Sequence, residues 1–252
     1  MSEILARASG LVLGYGDSIA VADGSFEIPT ASVTAIIGPN GSGKSTLLHA
    51  LAGIVHPRAG GLQILGAPPG RHIRKVSYVM QSVAIPTGVP ITVREAVEMG
   101  RYPSLGWFRR FRDLDRKRVQ RSMERMQIAE LAERHLWELS GGQRQRVYVA
   151  QGIAQDHEVL LLDEPLTGLD IVTARTIDEL IHSEHEKGHS VIMTTHDLDE
   201  ARAADYVILM SGRVVAAGPP AEVLTDANLA EAYGLGALHS HGAEIIDDHH
   251  HD

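Results

Sequence analysis

The sequence predicts an α/β fold: a parallel sheet built round a phosphate-binding loop, an antiparallel β subdomain at its start, and an inserted helical subdomain. Three observations predict it. "SVTAIIGPNGSGKSTLLHALAG" (32–53) passes from a β-branched strand through a glycine-rich turn into a helix. "HEVLLLDEP" (157–165) is an unbroken apolar run, as in a strand covered on both faces, ended by two carboxylates and a proline. Between them, residues from about 86 to 154 carry helical rather than strand periodicity.

Composition allows such a fold and excludes others. With 252 residues, 44% apolar and 22% charged, the chain can bury the core of one large domain or two small ones. The absence of cysteine excludes disulfides and thiolate metal sites, and agrees with a reducing compartment. A net charge of -9 argues against a protein that coats nucleic acid, because phosphate neutralisation needs a dense cationic face. No apolar run approaches the roughly 20 residues that cross a bilayer. "MSEILARASG" has no basic region before a long apolar core, so no signal peptide is read and cytoplasmic residence is expected.

Taken in order, "LARASGLVLGYGDSIAVADGSFEIP" (5–29) alternates apolar and polar residues between turn signals, which suits antiparallel strands carrying Tyr15. The strand at 32–38 then enters the loop. Gly38, Gly43, Lys44 and Ser45 match G-x-x-x-x-G-K-[ST], with Pro39, Asn40, Gly41 and Ser42 between. The glycines let backbone N–H groups curl round a phosphate chain, and the following helix adds its positive N-terminal dipole. Lys44 would reach the β- and γ-phosphates, the Ser45 hydroxyl would bind Mg²⁺, and Thr46 stands beside it in the helix. A parallel core is expected to continue to about residue 85.

The helical stretch places Val93, Val97, Met123, Met126, Leu131 and Leu136 on apolar faces. It ends in "ELSGGQRQRVYVAQGIAQ" (138–155), where Ser140 has the N-cap position, Gly141 and Gly142 permit close backbone approach, and Gln143 follows. This is a second helix N-terminus suited to face an anion. The core resumes near Gln155. Asp163, at a strand end, can hold Mg²⁺ through its water shell, while Glu164 faces the γ-phosphate as candidate general base. Residues 174–188 read as a crossover helix, and 190–197 and 206–218 as the later strands of the core. No internal repeat is visible.

Leu139 to Gln143 resemble the LSGGQ signature of ATP-binding-cassette (ABC) ATPases, and the resemblance extends over roughly residues 3 to 235. Its other elements follow in order: Tyr15 in "LGYGD", Gln81 in "SYVMQS", "LTGLD" (166–170) and His196 in "VIMTTHDLDEA". The resemblance implies a P-loop NTPase domain over 1–235, with a core at about 1–85 and 155–235 and a helical subdomain at about 86–154. It implies a head-to-tail homodimer enclosing two ATP molecules, each between the Walker loop of one copy and Ser140, Gly141, Gly142 and Gln143 of the other. Tyr15 would stack on adenine, Glu164 would polarise the water, and His196 would hold the γ-phosphate and that water in line. Gln81 would sense Mg²⁺ and the γ-phosphate, and Asp170 would knit the two sites together. None of these positions is substituted, so the resemblance implies an active ATPase.

Chain layout narrows the work that ATP drives. The stretch between Lys44 and Asp163 is too short for the coiled coil of chromosome-organising relatives, and translation-type relatives carry two tandem cassettes. A transport subunit at the cytoplasmic face of the membrane is implied, with separate integral membrane permease subunits and, indirectly, an extracytoplasmic substrate-binding protein. "MGRYPSLGWFRR" (99–110) looks like the zinc/manganese branch of importer ATPases; ferric-siderophore or haem-type importers, and a soluble non-transport ABC ATPase, are the alternatives.

Residues 81–111 are rich in proline, glycine and apolar side chains, as a groove for the permease would be, although Trp107 and Phe108 also read as a core cluster of the helical subdomain. "RRFRDLDRKRVQR" (109–121) mixes charge signs, as a solvated helix face does. The tail at 236–252 carries five of the fourteen histidines, His239, His241, His249, His250 and His251, interleaved with acids. It reads either as a disordered polar tail or as a set of Zn²⁺ ligands.

Overall fold

The computed structural model describes residues 4–81, 90–105 and 110–234. Trp107, Phe108, the tail histidines and residues 82–89 of the expected docking stretch lie outside them.

Two sheets organise the chain. In the first, β1 (Ile4–Tyr15) pairs antiparallel with β2 (Ser18–Val21), β3 (Phe26–Pro29) and a later strand, β5 (Ala59–Ile64). The second contains β4 (Val33–Ile37), β6 (Val76–Val79), β7 (Val159–Leu162), β8 (Ser190–Thr195) and β9 (Tyr206–Met210), parallel in the order β9-β4-β8-β7-β6. β10 (Val214–Gly218) borders β9 and runs antiparallel to it.

Two strands depart from the expected parallel core, each for a local reason. Only Leu62 and Ile64 of β5 are buried, so it has one wet face and joins the antiparallel sheet, where such faces are tolerated. β10 follows β9 after a tight turn in which Ser211 N–H donates to the Arg213 carbonyl at 2.9 Å, and a turn that short can join only antiparallel strands.

The central strands are covered on both faces, and their side chains alternate between two cores. Ala35, Ile37, Leu160, Leu162, Val191 and Met193 enter one cluster; Ile36, Val159, Leu161 and Ile192 enter the other. The second cluster is closed by the antiparallel sheet and by α1 (Lys44–Leu51), which contributes Leu47, Leu48 and Leu51. Leu161 is 0% exposed, so Leu161→Ala is expected to cost about 2–5 kcal/mol through lost burial and the cavity left behind. Urea unfolding monitored by circular dichroism checks it, the denaturation midpoint falling with an unchanged slope.

The first cluster is closed by helices. α2 (Val93–Met99), α3 (Tyr102–Leu105), α4 (Asp113–Arg125) and α5 (Gly141–Ala154) form the helical stretch. The expected apolar positions Val93, Val97, Met123, Met126, Leu131 and Leu136 are all buried in this cluster, beside Val147 and Ala150 of α5. The buried Arg101 guanidinium, in the turn between α2 and α3, reaches α4 and α5: its Nη2 donates to Asp115 at 2.9 Å and its Nη1 to the Ala154 carbonyl at 2.7 Å. α6 (Ile171–Glu186) and α7 (Leu198–Ala203) cover the same face, and α8 (Pro220–Val223) and α9 (Asp226–Tyr233) end the described chain.

Candidate functional site

Strand register brings the predicted residues to one edge. Ile37 of β4 lies opposite Thr195 of β8, Met193 of β8 opposite Leu162 of β7, and Leu162 opposite Val79 of β6. Gly38, His196, Asp163 and Gln81 therefore all follow the carboxyl ends of neighbouring strands, where parallel α/β sheets place their ligands.

The loop between β4 and α1 has little room for side chains. A Cβ on Gly38 would lie 2.1 Å from the Met210 carbonyl oxygen, and one on Gly43 would lie 2.7 Å from that of Ala20. Gly43 also has φ 97°, a left-handed conformation open to glycine, and it caps α1 without any side chain to block the helix's free N–H groups. Pro39, Asn40 and Gly41 form the outer part of the loop, with Asn40 and Gly41 exposed. The Ser42 hydroxyl is buried with no hydrogen-bond partner among the described residues. A cradle of backbone donors and an unpartnered hydroxyl fits a polyphosphate chain.

Lys44 is 5% exposed, and its Nζ donates to the carbonyls of Gly38 at 2.9 Å and Pro39 at 3.2 Å. Burial lowers its pKa below the ordinary lysine value, while the Glu164 and Asp163 carboxylates oppose that shift. Asp163 is the hub of the polar cluster. Its Oδ1 accepts from Thr194 Oγ1 at 2.6 Å and Ser45 Oγ at 3.1 Å, and its Oδ2 from the Tyr78 hydroxyl at 3.4 Å. Burial pushes the Tyr78 hydroxyl well above its usual pKa, so it remains a donor. Thr46 is buried in the first turn of α1.

Glu164 follows in a left-handed conformation, φ 46°, which costs a non-glycine residue of order 1–3 kcal/mol and is held by what surrounds it. Its N–H donates to Thr194 Oγ1 at 2.8 Å, and its carboxylate accepts from Gln81 Nε2 at 3.0 Å. His196 is exposed just beyond β8, next to Asp197, which caps α7. Tyr15 ends β1, half exposed, with its hydroxyl 2.8 Å from His49 Nδ1 of α1. One edge thus gathers the 38–46 loop, Gln81, Asp163, Glu164 and His196, while Tyr15 is held against α1 through His49.

The second helix terminus begins α5. Ser140 caps α5 in a reciprocal pair with Gln143, whose N–H donates to Ser140 Oγ at 3.2 Å while its side-chain oxygen accepts from Ser140 N–H at 3.0 Å. A Cβ on Gly142 would lie 2.8 Å from Asp170 Oδ2, while Gly141 faces open space. Asp170 caps α6, accepting from the Thr173 N–H at 2.9 Å and hydroxyl at 2.8 Å, bonds that lower its pKa. Among the described residues no hydrogen bond joins Ser140 to Gln143 with the 38–46 loop.

Sequence reasoning did not find Thr194 or Tyr78 as partners of Asp163. The signal for Thr194 was present: it is a polar residue inside a strand whose six residues are all buried, and such hydroxyls need partners. Nothing local marked Tyr78.

Comparison with known proteins agrees with this arrangement. Residues 21–167 match the ABC transporter family. The zinc transport system ATP-binding protein TroB of Treponema pallidum is 36% identical over 240 residues, covering 93% of this chain and 90% of that protein. The ferric enterobactin transport ATP-binding protein FepC of Escherichia coli is 38% identical over 262 residues, covering 98% and 92%. Among solved structures, CbiO1 of Clostridium perfringens, part of the ABC transporter complex CbiONQ, superposes with a TM-score of 0.72 at 29% identity over 94% of this chain and 99% of that one. The fold is that of an ATP-binding cassette. The chain belongs to the ABC transporter family, in which it is the ATP-binding, ATP-hydrolysing subunit coupled to transport. Among the described residues no helix is long and apolar enough to cross a membrane.

Proposed function

We propose that the chain hydrolyses ATP at this edge to drive import of a metal ion, zinc or manganese, through a separate integral membrane permease. The observation that carries the hydrolytic part is the hydrogen-bonded set Ser45–Asp163–Thr194–Glu164–Gln81 beside the buried Lys44. The loop N–H groups and Lys44 hold the phosphates, and Tyr15 stacks on the adenine. Ser45, Asp163 and Gln81 offer an all-oxygen donor set, which fits Mg²⁺, a hard ion. When bound, Mg²⁺ neutralises charge on the phosphates. Glu164 accepts the proton of the attacking water, and His196 positions that water and the γ-phosphate.

Two copies complete the machinery. Ser140, Gly141, Gly142 and Gln143 of one copy close over ATP held by the 38–46 loop of the other, forming a homodimer with two ATP molecules, and Asp170 links the two sites. That no hydrogen bond joins the two segments within one chain, among the described residues, supports this reading.

Beside Gln81 lies a cavity of about 360 Å³ whose lining includes Met80, Met99, Pro103, Tyr148 and Gln151. Met80 is 55% and Met99 39% exposed, and apolar side chains left in water at a cavity mouth suit a docking partner. We assign this groove to the permease, which places the chain at the cytoplasmic face of the membrane. Because Gln81 donates to Glu164, movement in the groove reaches the base through one hydrogen bond. An extracytoplasmic binding protein delivers the substrate to the permease. The five tail histidines, His239, His241, His249, His250 and His251, serve as weak zinc ligands outside the cassette, and their removal should lower the bound zinc measured per chain.

Similarity to a zinc transport protein supports zinc or manganese as cargo; similarity to a ferric enterobactin transport protein favours a ferric chelate as the second reading. Vesicles carrying the chain with its permease decide between them. ATP-dependent uptake of radiolabelled Zn²⁺ or Mn²⁺ is expected. Uptake of ferric chelates alone would replace the cargo reading, and no ATP-dependent uptake of either would remove the import reading.

A further inference from the structure

A different set of metal-ligating side chains occupies the opposite edge of the parallel sheet. His157 precedes β7 and His189 precedes β8, whose far ends lead to Asp163 and His196, and Glu184 lies in the last turn of α6. Glu184 is 1% exposed. Its Oε1 accepts from Arg125 Nη2 at 2.7 Å and Lys187 Nζ at 2.9 Å. Its Oε2 faces His157 Nε2 at 3.1 Å and His189 Nδ1 at 2.6 Å.

His157 is fixed from both ring nitrogens. Its Nδ1 lies 3.1 Å from the Gln155 carbonyl oxygen, which can only accept, so that nitrogen carries the proton. Its Nε2 then faces the Glu184 carboxylate, in a side chain only 4% exposed. A histidine that gives one ring N–H to a backbone carbonyl and presents the other nitrogen beside a carboxylate has the arrangement that fixes metal-ligating imidazoles.

We propose that His157 Nε2, His189 Nδ1 and Glu184 Oε2 form a binding site for a divalent transition-metal ion of the zinc class. The three ligand atoms lie within 4.8 Å of one another. Donors about 2.0–2.1 Å from a tetrahedral ion stand about 3.3 Å apart. The His157 pair meets that spacing nearly as it stands, and His189, whose side chain is 32% exposed, has only to withdraw by a small rotation. Two imidazoles and one carboxylate suit borderline ions and leave the fourth position for water. That position opens on a cavity of about 310 Å³, also lined by Asp156 and Glu158, which pair outward with Arg101, Arg118 and Lys75. The site is independent of the transported cargo. It would pin the end of α6 to the starts of β7 and β8, on the carboxylate that also receives Arg125 from the end of α4.

The test uses the full chain with the five tail histidines changed to serine, so that they cannot bind the probe. Calorimetry with Zn²⁺ is expected to give one ion per chain, and Co²⁺ a visible band of four-coordinate type. His189→Gln should weaken binding at least tenfold and abolish the band, and His157→Gln should do the same. Zn²⁺ should also shift the ring NMR signals of His157 and His189 in the chain with this site intact, a readout that does not depend on either variant folding. Loss of all zinc binding once the tail histidines are gone overturns the proposal. So does binding undiminished by both substitutions, or a His157 that stays a doubly protonated imidazolium with Zn²⁺ present.

Discussion

Glu164→Gln is expected to bind ATP with unimpaired affinity while steady-state hydrolysis falls by about 10²–10⁴-fold, the usual contribution of a positioned general base. The amide keeps the size and the acceptor oxygen of the carboxylate, so the Gln81 contact to that side chain and the Glu164 N–H bond to Thr194 can persist. Only the proton acceptor is lost. The left-handed backbone at this position adds to the argument: strain of that kind persists where surrounding bonds hold a side chain in one place, here the Thr194 hydroxyl anchored on Asp163. Single-turnover and steady-state phosphate release check this. Hydrolysis at the parental rate would reassign the base.

Lys44→Ala is expected to act one step earlier, on binding. Nζ sits buried between the Gly38 and Pro39 carbonyls, close enough to Asp163 and Glu164 for their charges to bear on it. Loss of a charge-assisted bond to the phosphates costs about 1.5–3 kcal/mol, or roughly one to two orders of magnitude in Kd. Calorimetry with a non-hydrolysed ATP analogue measures it, since turnover then cannot obscure affinity. An unchanged Kd would remove Lys44 from phosphate binding. The two variants thus separate binding from chemistry at one edge of one sheet.

How far this was legible depended on whether the signal was local. The strand, loop and helix around Gly38 to Thr46 could be read because backbone room and the position of a lysine are set within ten residues of chain. The same holds for Ser140 and Gln143, a reciprocal cap three residues apart. The both-faced burial of Val159–Leu162 was readable from its unbroken apolar run. Long-range pairings were not. Nothing near β5 announces that it returns to β1, and nothing in "SYVMQS" says that Tyr78 will reach Asp163, because both depend on which strands become neighbours. The histidine reading shows this most plainly. Histidines are densest in sequence in the tail, whereas His157, Glu184 and His189 are brought together by the pairing of β7 with β8 and the return of α6.

Whether ATP is held and hydrolysed between two copies of this chain is decided by native mass spectrometry of the Glu164→Gln protein with ATP and Mg²⁺. Removing the base while leaving the loop and the Ser140 terminus intact should trap the closed assembly. A species of two chains and two ATP molecules is expected, and it should disappear when Lys44→Ala is added. A single chain with one ATP, paired with hydrolysis by the parent protein at dilutions where no dimer forms, would contradict it.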